Sequence, residues 1–335
     1  MRKTIIGVLA SHDSKETNNS LVAVFDRLVE KDPKLLDNFH FLFTGGTYER
    51  IINGTADAED KGISKVKTKT KKFIEKRSTC LPSRLHGGVT LLAYCVVQRQ
   101  CSLLWLFLSP ITSHWLNPEN LALMRLSDQW HAKRLMNTGS VEEWFSEEAK
   151  TDVYRNQQEI PLQLILPGTE GRLVNKRLGE KCFNINWSKF SIPKDFSEMT
   201  IALIAHDEMK NRMVDFAIDY EQELLKFKRI LCTGTTGREV EDNARRLKEN
   251  DKIYRYKSGP KGGDIEIASE ILSGRCHVVI FFVDPLHPHP HIEDIRVVFG
   301  ACMIQNNVRM LTNEMQAREW MDRVVKRKLN RTANP

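Results

Sequence analysis

Four short stretches in the second half of this sequence carry the residue types that proton transfer beside a phosphate would use. "AHDEMK" holds His206, Asp207 and Lys210, and "CTGTTGRE" holds Thr233, Gly234, Thr235 and Thr236. "SGPKGGD" holds Ser258, Gly259 and Asp264, and "VDPLHPHPHIEDI" holds Asp284, His287, His289, His291 and Asp294. Hydroxyls and backbone N–H groups at the entry to a helix converge on an anion, and a lysine one turn into the next helix can face it. Paired glycines let backbone approach a ligand closely. A carboxylate beside such a cradle can act as general base, and an imidazole can donate to oxygen where charge develops. Each motif alone also has a plain structural reading. A threonine-rich turn can be only a turn, and Asp264 can be only an N-cap. There is neither G-x-G-x-x-G nor a Walker lysine, so nucleotide binding is weakly supported. Histidines alternating with prolines do not define a ligand face, so no metal is assigned and zinc stays an alternative.

The elements that must hold these stretches are legible as well. "TIALIAH", "RILCTG", "KIYRY", "HVVIFFVD" and "VRMLTN" are short, apolar and suited to strands. Between them "MKNRMVDFAIDYEQELLKF", "GREVEDNARRLKEN", "GDIEIASEILSGR" and "EDIRVVFGACMIQN" repeat apolar residues at helical spacing. That alternation specifies a doubly wound parallel α/β sheet with right-handed crossovers. Ligands of such sheets bind beyond the carboxyl ends of the strands, where all four stretches fall.

The first half reads as a worn copy. "SRLHGGV" at Ser83–Val89 mirrors "SGPKGGD", and Ser83 with Ser258, Pro110 with Pro285 and Arg134 with Arg309 are all 175 residues apart. Nearer the front the spacing is 194 for His12 with His206 and 189 for Thr44 with Thr233. The first copy therefore carries insertions, the longer one at the lysine-rich run Lys65–Arg77, read as a solvated insert. At the 175 spacing Val89 replaces Asp264, Ser109 replaces Asp284, Glu119 stands in for Asp294 and His114 lies where His289 does. "TGGT" at Thr44–Thr47 reads as a shortened anion turn, and Glu16 falls where Lys210 stands. The expected domains are 1–149, a degenerate copy; 150–197, a linker or small appendage; and 198–330, the intact copy.

Composition bounds the function classes. The chain has 335 residues, 41% hydrophobic and 28% charged, enough to bury about two cores. Seven cysteines without a C-x-x-C pair indicate neither a disulfide framework nor a zinc knuckle, which fits a reducing cytoplasm. The opening "MRKTIIGVLASHDSK" reads as a first strand rather than a signal peptide. The apolar stretch around "LLAYCVVQRQCSLLWLF" is cut by Gln98, Arg99 and Gln100, so no membrane span is expected. The net charge of +7 is gathered in Lys65–Arg77 and Val324–Arg331, without the interleaved aromatics of a stacking platform. No nucleic-acid partner is expected.

Taken in order and at these spacings, "IALIAHDEMK", "TGTTG", "SGPKGGD" and "FFVDPLHPHPHIEDI" resemble methylglyoxal synthase over roughly Thr200 to Met321. The resemblance implies a doubly wound α/β domain that assembles as a hexamer. It also implies conversion of dihydroxyacetone phosphate, a triose phosphate, to methylglyoxal and inorganic phosphate without metal or organic cofactor. It implies Asp264 as the catalytic base, with His206, Asp284, His291 and Asp294 as the other polar active-site residues. Lys210, Thr233, Gly234, Thr235, Thr236, Ser258 and Gly259 match the phosphate cradle. The family also draws a phosphate-contacting arginine from near the C-terminus of a neighbouring subunit, for which Arg323, Arg327 and Arg331 are candidates. Without its carboxylate the first copy is expected to be catalytically silent, a pseudo-subunit in a homo-oligomer of three chains. A ligand-sensing module for phosphorylated effectors is the alternative, distinguished by having no need of Asp264, His291 and Asp294.

Overall fold

The computed structural model describes residues 4–11, 15–54, 64–109, 117–150, 193, 195–284, 292–305, 308–326 and 329. The chain divides into two compact units, Met1–Ile185 and Asn186–Pro335. Most of the 150–197 stretch expected as a linker lies outside the described residues. The first unit contains β1 (Thr4–Ala10), β2 (Phe39–Phe43), β3 (Ser78–Cys80), β4 (Leu103–Phe107) and β5 (Lys133–Leu135), ordered β3-β2-β1-β4-β5. The second contains β6 (Thr200–Ala205), β7 (Arg229–Cys232), β8 (Ile253–Arg255), β9 (Val278–Phe282) and β10 (Arg309–Leu311), ordered β8-β7-β6-β9-β10. Every strand pair is parallel, and both sheets have one topology. The doubly wound parallel α/β class expected from the sequence is the fold observed. In each sheet the winding reverses between the first and fourth strands, which opens a crevice at their carboxyl ends.

Helices on both faces explain the strand compositions. β1, β4, β6 and β9 are buried at every residue, as strands covered on both sides must be. In the first unit Phe25, Phe41 and Trp105 meet with ring centroids 5.1–5.5 Å apart, each pair adding about 0.5–1.5 kcal/mol beyond the area it buries. In the second, Phe216 packs on Tyr220 at 5.0 Å and on Phe282 at 5.7 Å. No helix among the described residues is long and apolar enough to cross a membrane.

The structure corrects three readings of the repeat. Ile6 pairs with Leu103 and Ile201 with Val278, so β1 and β6 correspond at a spacing of 195 (201 − 6), not 194. Ser11, not His12, is therefore the counterpart of His206, and the register brings Lys15, not Glu16, opposite Lys210. Lys15 and Lys210 each begin the helix after their strand, Lys15–Lys31 and Lys210–Asp219. Arg134 lies beside Leu104 and Met310 beside Val279, so the last strands correspond at 176 and Arg134 with Arg309 is not an equivalent pair. Third, the lysine run is more than a solvated insert. It folds as the helix Thr68–Arg77, whose Thr70 and Ile74 are buried and whose Phe73 packs edge-on against Phe41 at 6.4 Å. Its lysines occupy the outer face. Five described cysteines are buried free thiols, and Cys80, at the end of β3, is disulfide-bonded, a bond that a reducing compartment disfavours.

Candidate active site

The described candidate residues of the second unit follow the carboxyl ends of its strands. His206 leaves β6 with its backbone N–H donating to Phe282 O at 3.2 Å, and the N–H of Asp284, just past β9, donates to His206 Nδ1 at 2.8 Å. A ring nitrogen that accepts carries no proton, so the neutral imidazole holds its proton on Nε2 and is a donor there. Phe281 braces the ring edge-on at 5.1 Å. His206 and Asp284 are 5% and 7% exposed, and both sit at the switch point between β6 and β9. Lys210 is paired with Asp207 at 2.5 Å and faces Glu239 at 3.9 Å.

The candidate cradle consists of two turns pressed together. Thr233 adopts the extended N-cap conformation of the helix Gly234–Asn243, but its hydroxyl does not cap the helix. It donates to Thr236 Oγ1 at 3.2 Å, and both threonines are buried while Thr235 is exposed. Gly234 N–H donates to Lys257 O at 2.8 Å. A Cβ on Gly234 would stand 2.9 Å from both Ser258 N and Tyr256 O, so glycine is what allows the Ser258–Gly259 turn to lie against the threonine turn. A helix N-terminus flanked by hydroxyls suits an anion.

Asp264 follows from the same turn. Gly262 is the N-cap of the helix Gly263–Leu272, with a left-handed φ of 97°, so Asp264 is not the cap that an isolated "GGD" suggests. It is the second helical residue and is 1% exposed. Burial disfavours the charge, and the helix N-terminus favours it. Asp294 is fully buried on the first turn of Ile292–Ile304, a helix that packs against Gly263–Leu272. His291 lies outside the described residues, as do His287 and His289. Of the arginine candidates Arg323 is exposed and paired with Glu319 at 2.9 Å, while Arg327 and Arg331 lie outside the described residues. Among the described residues no group of three or more His, Cys, Asp or Glu could hold a metal ion.

Sequence reasoning missed Glu266 and Lys257. Glu266 is 3% exposed, and its carboxylate accepts from Lys257 N–H at 2.8 Å and from Lys257 Nζ at 2.7 Å. The available signal was a glutamate set between Ile265 and Ile267 in a helix buried on all sides.

The first unit keeps the frame and changes the side chains. Thr44 Oγ1 and Thr47 Oγ1 are 2.9 Å apart, and Gly45 N–H donates to Pro82 O at 3.0 Å. Gly88 N–H donates to Ser83 O at 3.0 Å and Gly87 has φ 81°. "TGGT" is therefore a full-length turn, not a shortened one. Ser11 Oγ accepts from Ser109 N–H at 2.7 Å, as His206 accepts from Asp284. Val89, at Asp264's position, is fully buried.

No family model matches this chain. Methylglyoxal synthase of Brucella ovis is 46% identical over 100 residues, 30% of this chain and 76% of the relative. That of Clostridium beijerinckii is 39% identical over 115 residues, 34% of this chain and 91% of the relative. The crystal structure of methylglyoxal synthase from Elizabethkingia anophelis is 32% identical, covers 36% of this chain and 76% of that chain, and has a TM-score of 0.32. With identities of 39–46% that span 76–91% of these curated relatives, the chain belongs to the methylglyoxal synthase family.

Proposed function

We propose that the second unit converts dihydroxyacetone phosphate to methylglyoxal and inorganic phosphate. Asp264 removes a proton from the hydroxymethyl carbon, and the C–H electron pair forms the enediolate. His291 donates to the developing oxyanion, assisted by His206, protonated on Nε2. The enediolate then breaks the C–O bond to phosphate on the neighbouring carbon, and the resulting enol ketonises to methylglyoxal. Thr233, Gly234, Thr235, Thr236, Ser258, Gly259 and Lys210 hold the phosphate, which must keep that C–O bond near perpendicular to the enediolate plane. The observation that carries this reading is Asp264 itself, a carboxylate 1% exposed in the first turn of a helix whose start is bonded to the Ser258 turn. The first unit, with Val89, Ser11 and Ser109 in the corresponding places, is proposed to be silent and to pack as a second subunit would.

Asp264→Asn tests the assignment. Wild type is expected to release methylglyoxal and phosphate in equal amounts, and the variant to lose at least about 10²-fold in turnover, the lower range for a positioned base, while still binding inorganic phosphate. Phosphate binding without turnover in wild type would instead mark a sensor.

A further inference from the structure

We propose that Glu266 is a positioning residue that fixes the Ser258–Gly259 turn relative to Asp264; its place in a reaction rests on the function proposed above. Lys257 is the hinge of the cradle. Its carbonyl receives Gly234 N–H at 2.8 Å, and the next carbonyl, Ser258 O, receives Gly263 N–H at 3.0 Å. What holds Lys257 from the other side is Glu266, which takes its N–H on one carboxylate oxygen and its ammonium on the other. Glu266 lies two residues after Asp264 on the same helix. One side chain thus ties the helix bearing the candidate base to the strand end bearing the cradle.

The first unit supplies the comparison. At the spacing of 175, Lys257 corresponds to Pro82 and Glu266 to Leu91, which is buried. The surrounding bonds are unchanged, with Gly45 N–H on Pro82 O and Gly88 N–H on Ser83 O, both at 3.0 Å. Proline has no N–H to satisfy and fixes its own φ, so an apolar residue can stand opposite it. Lysine presents an N–H in a crowded turn, and a buried donor needs an acceptor. The two positions have changed together, proline with leucine in one unit and lysine with glutamate in the other.

The test uses the full chain with E266Q, E266L and the double variant K257P/E266L, which installs the first unit's pair. Hydrogen exchange over Lys257–Gly263 reads the turn without any ligand. Titration with inorganic phosphate reads the cradle, and KM against kcat for dihydroxyacetone phosphate reads the site. E266L is expected to speed exchange and to weaken phosphate binding and raise KM at least about tenfold, as loss of the carboxylate's bonds to the Lys257 N–H and ammonium would, with kcat falling less. E266Q, which keeps an acceptor, is expected to stay within about threefold of wild type, and the double variant to recover both exchange and phosphate affinity. E266L with unchanged exchange and phosphate affinity overturns the proposal, as does a folded double variant as impaired as E266L. Should E266L not fold, E266Q decides: a tenfold loss despite its acceptor overturns the proposal. If no variant turns over and wild type does not either, the lyase reading fails, while the exchange result still judges Glu266.

Discussion

Replacing Gly263 by alanine would place a methyl carbon 1.9 Å from Lys257 O and 2.8 Å from Lys257 C. Both atoms are backbone, so no rotamer change relieves the contact. Cβ atoms essentially never come closer than 3.0 Å, so the helix start and the strand-end turn must separate by about 1 Å. Forced repacking of this kind costs about 1–3 kcal/mol, and alanine returns up to about 1 kcal/mol of helix propensity. The expected net loss is about 1–2 kcal/mol, a shift of about 0.5–1 M in the urea midpoint for a slope near 2 kcal/mol/M. The same separation moves Ser258 and Gly259 away from Asp264, and a displacement of about 1 Å can lower turnover about 10²-fold. Gly88→Ala meets the same obstruction, 1.9 Å from Pro82 O, and carries the same stability penalty. It is expected to leave turnover unchanged, because its unit carries Val89. Urea unfolding followed by circular dichroism, with kcat measured in native buffer, tests both variants. Loss of turnover in Gly88→Ala, or full turnover in Gly263→Ala, would refute the reasoning.

Two further outcomes are expected. If the first unit packs as a subunit, six domains come from three chains, so sedimentation equilibrium should give a trimer; a monomer sinks the proposed pseudo-subunit. Burial pushes the Cys101 and Cys232 thiols up to about 12, from an unfolded value of 9.0. The unfolded chain therefore releases these protons first, so stability falls as pH rises from about 9 toward 12, by up to about 1.4 kcal/mol per pH unit for each thiol. Urea midpoints at pH 8 and pH 10 should show the fall, and Cys232→Ala should reduce it.

The fold was legible because parallel strands covered on both faces are nearly pure apolar runs. "HVVIFFVD" contains β9, and "TIALIAH" ends at the histidine that turns into the site. The site was legible as a set of strand ends, since His206, Thr233, Ser258 and Asp284 each follow a strand. Geometry at the level of one residue was not. A spacing of 194 aligns two histidines and is chemically attractive, yet the ladder demands 195, because a one-residue slip would turn every side chain of β1 to the other face. The lysine helix was missed because its charge outweighs its narrow apolar face of Thr70, Phe73 and Ile74. Glu266 was missed because its partners, the N–H and ammonium of Lys257, lie nine residues back across a turn, a spacing that belongs to no helix or strand pattern.

The Ser11 hydroxyl over the Ser109 amide bears on how the second unit's side chains could be installed in the first. That corner already has a donor aimed at whatever stands at position 11, so Ser11→His would meet an N–H in the place where His206 finds one. The corner can be converted by a single exchange that keeps the amide satisfied. Val89→Asp has no such welcome, because the helix Gly88–Val97 is apolar along almost its whole length, and a carboxylate there would need its surroundings rebuilt. The obstacle to giving the first unit the second unit's set of side chains lies in the upholstery around one helix rather than in the frame.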